Sequence, residues 1–487
     1  MIRNTNISHG VLYVVSLCII AVGIALLLFS PNPSSTKVKI LTPLSGSRIE
    51  TVEKKAEVFD LENIPANDVY KKIADLKAQG SYDAALQIVV SYEQQEPDKK
   101  RLLEEKADIL SYVKKWKDVE EVYKTLASIE PKNSIYPVKS LEATLHSLQK
   151  EQFEQALKNV QERLPKFAQS PDRIFLECIL AVYLNNENDV KTHCAQAQEN
   201  KLTDTTASYA HDFVEHYAVF STFKDGSGAY LRVLQAKTLT DAGYSTFAIH
   251  LLKDVVETQK EYRDAWTLLG YNYLLIDEST LALAALETAY TLDTSKAYVQ
   301  YLLALAHDRL GNREKAISYY GITLSNQFEK TNEVRQRLAE LYVENKNYQL
   351  AAEQFELLFQ AVPPKNPEQY ARLLWIYIEQ LKDSKKAVDV ALRAQKAFPG
   401  SSLSDNYVGW AYLAQGEYVK ATEALDRGLA RDPKLAPLYL TKARVEKAQG
   451  NLESAQKQYL KAYELAKGTE IGDLAGAEYN ALLSSSS

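Results

Sequence analysis

Residues 266–289 read WTLLGYNYLLIDESTLALAALETA, and this stretch decides the fold. Two amphipathic helices joined by a turn account for its pattern, with Gly270 in the first segment and Ala282 and Ala289 in the second. Small residues at those points let two helix backbones approach closely, while Trp266 and Tyr273 fill the wedge a turn away. Outward from this stretch the alanine-like position recurs at Ala85, Val119, Ala156, Val190, Ala248, Ala282, Ala316, Ala351, Ala387, Ala421 and Ala455. Most steps are about 34 residues, and a fixed period of this length is the mark of a helical array. The longer steps run from Val119 to Ala156, to either side of Ala351, and, longest of all, from Val190 to Ala248.

The segments GSYDAAL from Gly80, GNREKAI from Gly311, GEYVKAT from Gly416 and GNLESAQ from Gly450 repeat the turn glycine and the alanine after it. Pro97, Pro131, Pro363, Pro399 and Pro433 stand where each second helix would end, since proline stops a helix and turns the chain. On these residues, and on Trp266, Leu269, Gly270, Tyr273, Ala282 and Ala289 above all, the chain resembles the tetratricopeptide repeat family over about residues 66–469. The resemblance implies an all-α fold: a right-handed α-solenoid of about eleven helical hairpins, each supplying its neighbour's core. Residues 66–202 form repeats 1–4, 203–228 an interrupting helix and turn, 229–469 repeats 5–11, and 470–487 a capping helix and tail. The interruption rests on Phe213, Tyr217, Phe220 and Phe223 near one helical face, a stripe that reads as buried packing. Trp375 stands near a site normally kept small, where one- or two-residue shifts disturb the register.

Ahead of the array, after a tail of residues 1–10, Val11–Phe29 (VLYVVSLCIIAVGIALLLF) are uncharged and mostly apolar throughout. At about 1.5 Å per residue they reach roughly 28 Å, a bilayer core. No A-x-A-like site follows, so the run reads as an uncleaved transmembrane helix that partners the membrane. Residues 30–65, with Pro31, Pro33, Pro43 and Pro65, read as a polar linker. Charge flanking the run barely discriminates orientation. A short tail before a single span commonly stays in the cytoplasm, so the expectation is N-in, C-out, with an extracytoplasmic repeat domain.

The 46% hydrophobic and 25% charged content of the 487 residues are those of folded protein. A net charge of −6 with scattered basic residues gives no footprint for nucleic acid. The seven histidines make no H-E-x-x-H pattern, and no phosphate-binding glycine loop or nucleophile elbow occurs. His193, Cys194, His211 and Cys178 could be imagined around a metal, but histidines on helix surfaces are ordinarily solvated or packed. The reading is therefore no enzyme, no cofactor and no metal. Cys178 and Cys194 fall within one unit, on its two helices near their crossing. They are either buried free thiols or a disulfide, the latter only outside the cytoplasm.

The resemblance further implies that the first helix of each hairpin lines a concave groove for a protein or peptide ligand. By repeat phase that face includes Asp264, Thr267, Tyr271, Tyr298, Tyr301, Asp308, Glu333, Gln336, Asn406, Trp410 and Arg444. Of these Tyr271, Tyr298, Tyr301, Asn406, Trp410 and Arg444 are the candidate partner-binding residues, tyrosine, tryptophan and arginine being the usual interface anchors; any one of the aromatics can equally be a core filler. The expected function is a membrane-anchored scaffold in a bacterial cell-envelope assembly. The alternatives are a cytosol-facing chaperone or precursor receptor, or a regulatory subunit of a membrane enzyme. Anchored receptors of the second kind use a Lys and Asn clamp, and Tyr70, Ala74 and Glu104 stand where it would be wanted.

Overall fold

The computed structural model describes residues 66–93, 99–146, 148–200, 203–222, 228–326 and 328–485, and among them every regular element is helical. Val11–Phe29 and the linker lie outside the described residues; within them no helix is long and apolar enough to cross a membrane. The described chain divides into two compact units, residues 66–312 and 313–485.

Unit 1 holds α1 (Ala66–Ala78), α2 (Tyr82–Tyr92), α3 (Lys99–Tyr112), α4 (Trp116–Ile129), α5 (Ile135–Thr144), α6 (Lys150–Arg163) and α7 (Pro171–Tyr183). It continues with α8 (Glu187–Asp189), a π-turn at Val190–Cys194, α9 (Ala195–Glu199), α10 (Asp204–Thr222), α11 (Gly228–Asp241), α12 (Ser245–Thr258), α13 (Arg263–Leu275), α14 (Ser279–Leu292) and α15 (Ala297–Arg309). Unit 2 holds α16 (Arg313–Ser325), α17 (Thr331–Glu344), α18 (Tyr348–Ala361), α19 (Ala371–Trp375) with a 3₁₀ turn before it and a π-turn at Ile376–Gln380 after it, and α20 (Ser384–Ala397). It ends with α21 (Ser402–Gln415), α22 (Tyr418–Arg431), α23 (Ala436–Ala448), α24 (Leu452–Leu465) and α25 (Glu470–Ser485).

Within the units helices alternate in pairs, and a left-handed residue ends the first helix of most of them. Gly80, Gly243, Gly311, Gly416 and Gly450 do this, and so do Lys114, Asn185, Asp277, Lys346 and Lys382, with φ between 54° and 87°. At Gly416 the amides of Gly416 and Glu417 return to the carbonyls of Leu413 and Tyr412, satisfying groups the helix end leaves open. The small column then closes the pairs within each unit: Ala85, Ala248, Ala282, Ala351, Ala387, Ala421 and Ala455 are all fully buried. A Cβ built on Gly270 would fall 2.5 Å from Leu286 Cγ, and one on Gly409 2.6 Å from Leu425 Cγ. Both pairs therefore cross at the same contact, with the same offset along the chain from glycine to leucine. In unit 2, α25 covers the last pair by burying Ala475 and Leu482 against Tyr459, Ala462 and Leu440.

Two expectations need correction. Ala156, read as the small site of the third pair, is half-buried, and it is Phe153, one repeat period after Val119, that turns fully inward. A phenyl ring cannot lie in a close helix crossing. It packs instead among Tyr183, Phe247 and His250, with ring centroids at 5.2, 5.2 and 4.1 Å. The second correction follows: neighbours do not share contacts only with neighbours, because the third pair packs directly against α12. The Tyr244 hydroxyl donates to Glu142 at 2.6 Å, Lys139 bridges Glu142 and Asp172 at 3.0 and 3.2 Å, and Lys150 meets Asp254 at 3.5 Å. Burial would raise the Glu142 pKa, but Lys139 and the Tyr244 hydroxyl outweigh it and hold it below the ordinary value. Beside them His146 stacks on Trp116 at 3.5 Å.

The interrupting segment is α10, which buries Phe213 and Tyr217; Phe223 lies outside the described residues. The register trouble at Trp375 has a local cause. The π-turn at Ile376–Gln380 takes up extra chain within one turn, which contributes to the longer step from Ala351 to Ala387.

Candidate functional site

In unit 2 the first helices of three successive pairs, together with α25, border a cleft of about 410 Å³. Its lining is Ile378 and Glu379 from the π-turn, Lys382 from the turn after it, Ser384 from the start of α20, Trp410, Leu413 and Ala414 from α21, Arg444 from α23 and Glu478 from α25. The repeat places several of them. Arg444 follows Trp410 by one repeat period and Glu478 follows Arg444 by another, so one phase position is presented on three helices in turn. Gly409, by letting α21 press against Leu425 of α22, fixes the helix whose adjacent face carries Trp410. The π-turn does the rest, because an inserted residue rotates the helix after it and brings Ile378 and Glu379 to the cleft.

The charges around the cleft are already matched. Arg444 Nε donates to Glu478 Oε2 at 3.1 Å while its Nη2 reaches Oε1, a two-pronged pair. Burial works to lower the Arg444 pKa, but Glu478 outweighs it and raises it. The Glu478 carboxyl is pushed up by burial and pulled further down by Arg444. Glu379 meets Lys382 at 3.5 Å on the rim, where Lys382 is 71% exposed. Beneath the charges, Trp410 is 7% exposed and packs in a core cluster of unit 2 with Tyr407, Ile378 and Ala411. Asn406, one turn before Trp410, has its buried side-chain carbonyl oxygen without a hydrogen-bond partner, as does the indole nitrogen of Trp375.

The six sequence-derived candidates thus fall into two groups. Asn406, Trp410 and Arg444 belong to unit 2, where Trp410 and Arg444 line the cleft. Tyr271, Tyr298 and Tyr301 belong to unit 1. Tyr271 on α13 is 2% exposed, and Tyr298 and Tyr301 on α15 are half-buried. Burial raises the phenol of Tyr271, and the nearby Asp241 and Tyr301 add to it. Asp241 itself is pushed up to about 6 by burial, against the pull of Lys237 at 3.0 Å. Cys178 and Cys194 are brought together, Cα to Cα 4.8 Å, as a fully buried disulfide joining α7 to the π-turn. Among the described residues no group of three or more potential ligands could hold a metal ion.

Glu478 was within reach of the sequence, since it repeats the phase of Arg444, but it lies in the terminal helix, read only as a cap. Glu379 was within reach too, standing one repeat period before Leu413, but the sequence reading followed only the phase of Trp410 and Arg444.

Residues 301–366 and 377–436 match one tetratricopeptide repeat profile and residues 436–469 another, together well under half of the chain. No curated protein matches it. Among solved structures, a tetratricopeptide repeat protein from Parabacteroides merdae is 17% identical, with 53% of this chain and 100% of that chain covered and a TM-score of 0.31. The C-terminal part of a repeat-containing protein from Cytophaga hutchinsonii is 14% identical over 49% of this chain and 97% of its own, with a TM-score of 0.36. Yeast Tom70 is 14% identical over 86% and 96%, with a TM-score of 0.29. By its own sequence, then, the chain carries tetratricopeptide repeats across residues 301–366 and 377–469.

Proposed function

We propose that this chain is a membrane-anchored scaffold that holds a protein partner, in the assembly or organisation of a bacterial cell-envelope complex. The observation that carries the reading is the cleft bordered by successive first helices, with Trp410 at its wall and Arg444 at its edge, since tryptophan and arginine dominate the energetics of protein interfaces. The apolar run Val11–Phe29 supports the anchor. The buried Cys178–Cys194 disulfide supports a repeat domain outside the cytoplasm, because reducing compartments keep thiols apart. The same bond argues against a cytosol-facing receptor.

A photo-crosslinking amino acid at Leu413, in the cleft, and another at Val419, 70% exposed on α22, test this in intact cells. A discrete protein adduct from Leu413 and not from Val419 is expected. Adducts from neither position refute the scaffold reading, and an adduct from Val419 alone moves the partner to another face. Protease treatment of spheroplasts tests orientation: digestion of the repeat domain only after the inner membrane is opened refutes the extracytoplasmic assignment.

A further inference from the structure

Granting that the cleft receives the partner, we propose that what enters it is an uncharged, apolar side chain on a peptide segment of that partner, and that the cleft selects against charged residues. The charges lining it are two acidic and two basic groups, Glu379 with Lys382 and Glu478 with Arg444. A charged ligand therefore finds no unmatched opposite charge. To gain one it must break the two-pronged Arg444–Glu478 pair, whose side chains are only 22% and 24% exposed, and leave a half-buried charge without a partner, a loss that exceeds what the new contact returns. An apolar side chain breaks nothing. It meets Ile378, Trp410, Leu413 and Ala414, and gains the transfer of its own surface out of water. The volume falls in the range of small-ligand pockets, about 300–1,000 Å³. The two ion pairs then act as a polar rim that excludes water around the seated side chain.

The probe is an array of blocked octapeptides of varied sequence, read with the full chain in detergent micelles. Bound peptides should be enriched at one position in Leu, Ile, Phe or Trp and depleted in Asp, Glu, Lys and Arg. Trp410→Ala should reduce that enrichment at least tenfold. Because this change also removes core packing, Ala414→Glu serves beside it: Ala414 is exposed, so the substitution spares the fold while placing a fifth charge in the cleft, and it should abolish the apolar selection. Enrichment in acidic or basic residues, absence of any bound peptide, or an unchanged pattern with Ala414→Glu would each overturn the proposal. A Leu413 adduct in cells alongside charged selection on the array leaves the scaffold standing and removes only the apolar specificity. The loss of both removes the scaffold as well.

Discussion

The same substitution should have opposite effects at two helical glycines of unit 2. Gly321 in α16 has open space around it: a Cβ there meets nothing within 4 Å. Gly321→Ala therefore removes only the helix penalty of glycine and should stabilise by about 1 kcal/mol. Gly409 in α21 gains the same amount from alanine but presses its new carbon 2.6 Å from both Cγ and Cδ2 of Leu425, with Cδ1 at 3.3 Å. Leu425 is fully buried among Ala421, Leu438 and Val445, and the clash includes its branch point, so no rotation of a free end relieves it. Overpacking of this kind costs about 1–3 kcal/mol. At the upper end, less the helix gain, Gly409→Ala should lose about 2 kcal/mol. The two variants then differ by about 3 kcal/mol, roughly a hundredfold in the opening constant. Amide hydrogen exchange resolved by helix measures it, since an array opens locally. Protection should fall in α21 and α22 for Gly409→Ala and rise in α16 for Gly321→Ala. A smaller side chain at the crossing should restore space, so Leu425→Ala should cost less in the Gly409→Ala background than alone. If Gly409→Ala strengthens protection as Gly321→Ala does, the close crossing is wrong, and with it the placement of Trp410.

Two further outcomes are expected. Reducing the Cys178–Cys194 bond frees a loop of 16 residues, worth about 3 kcal/mol in loop entropy; exchange in α7 and α9 should speed up on reduction, and identical exchange in both redox states would show that packing alone holds this pair. Burial pushes the His146 imidazole down to about 4, so the unfolded chain binds a proton there first as pH falls. Stability is present above pH 6.5 and is lost between 6.5 and about 4. His146→Phe keeps the stack on Trp116 and should flatten that part of the urea-midpoint profile, whereas an unchanged slope would place the acid sensitivity elsewhere.

What the sequence made legible is what recurs with fixed phase. The Gly270 and Leu286 crossing, the alanine column and the succession from Trp410 to Arg444 all follow from one spacing, because a helix pair that must fit its neighbour repeats its contacts. The turns were only half legible. Gly80, Gly243, Gly311, Gly416 and Gly450 announce a left-handed residue, Asn185 and Asp277 are of types that tolerate it, but Lys114, Lys346 and Lys382 adopt the same conformation with nothing in their identity to signal it. Ala156 was misread as the small site of the third pair, whose inward residue is Phe153. Its partners lie in α7 and α12, and no local pattern carries a contact with a distant helix. The π-turns hid for a related reason: an added residue within a helix leaves amphipathicity almost intact while shifting everything after it.

The packing of the third pair on α12 also constrains how the chain is made. Glu142 and Tyr244, joined by a hydrogen bond, stand 102 residues apart. At a synthesis rate of about 5–20 residues per second, the partner of α5 and α6 emerges about 5–20 s after them. During that interval Phe153 has only Tyr183 of its three ring partners, and waits for Phe247 and His250, although the pairs of unit 2 can each close on a neighbour made moments before. The nascent third pair is therefore the stretch where a holding chaperone would meet this protein first.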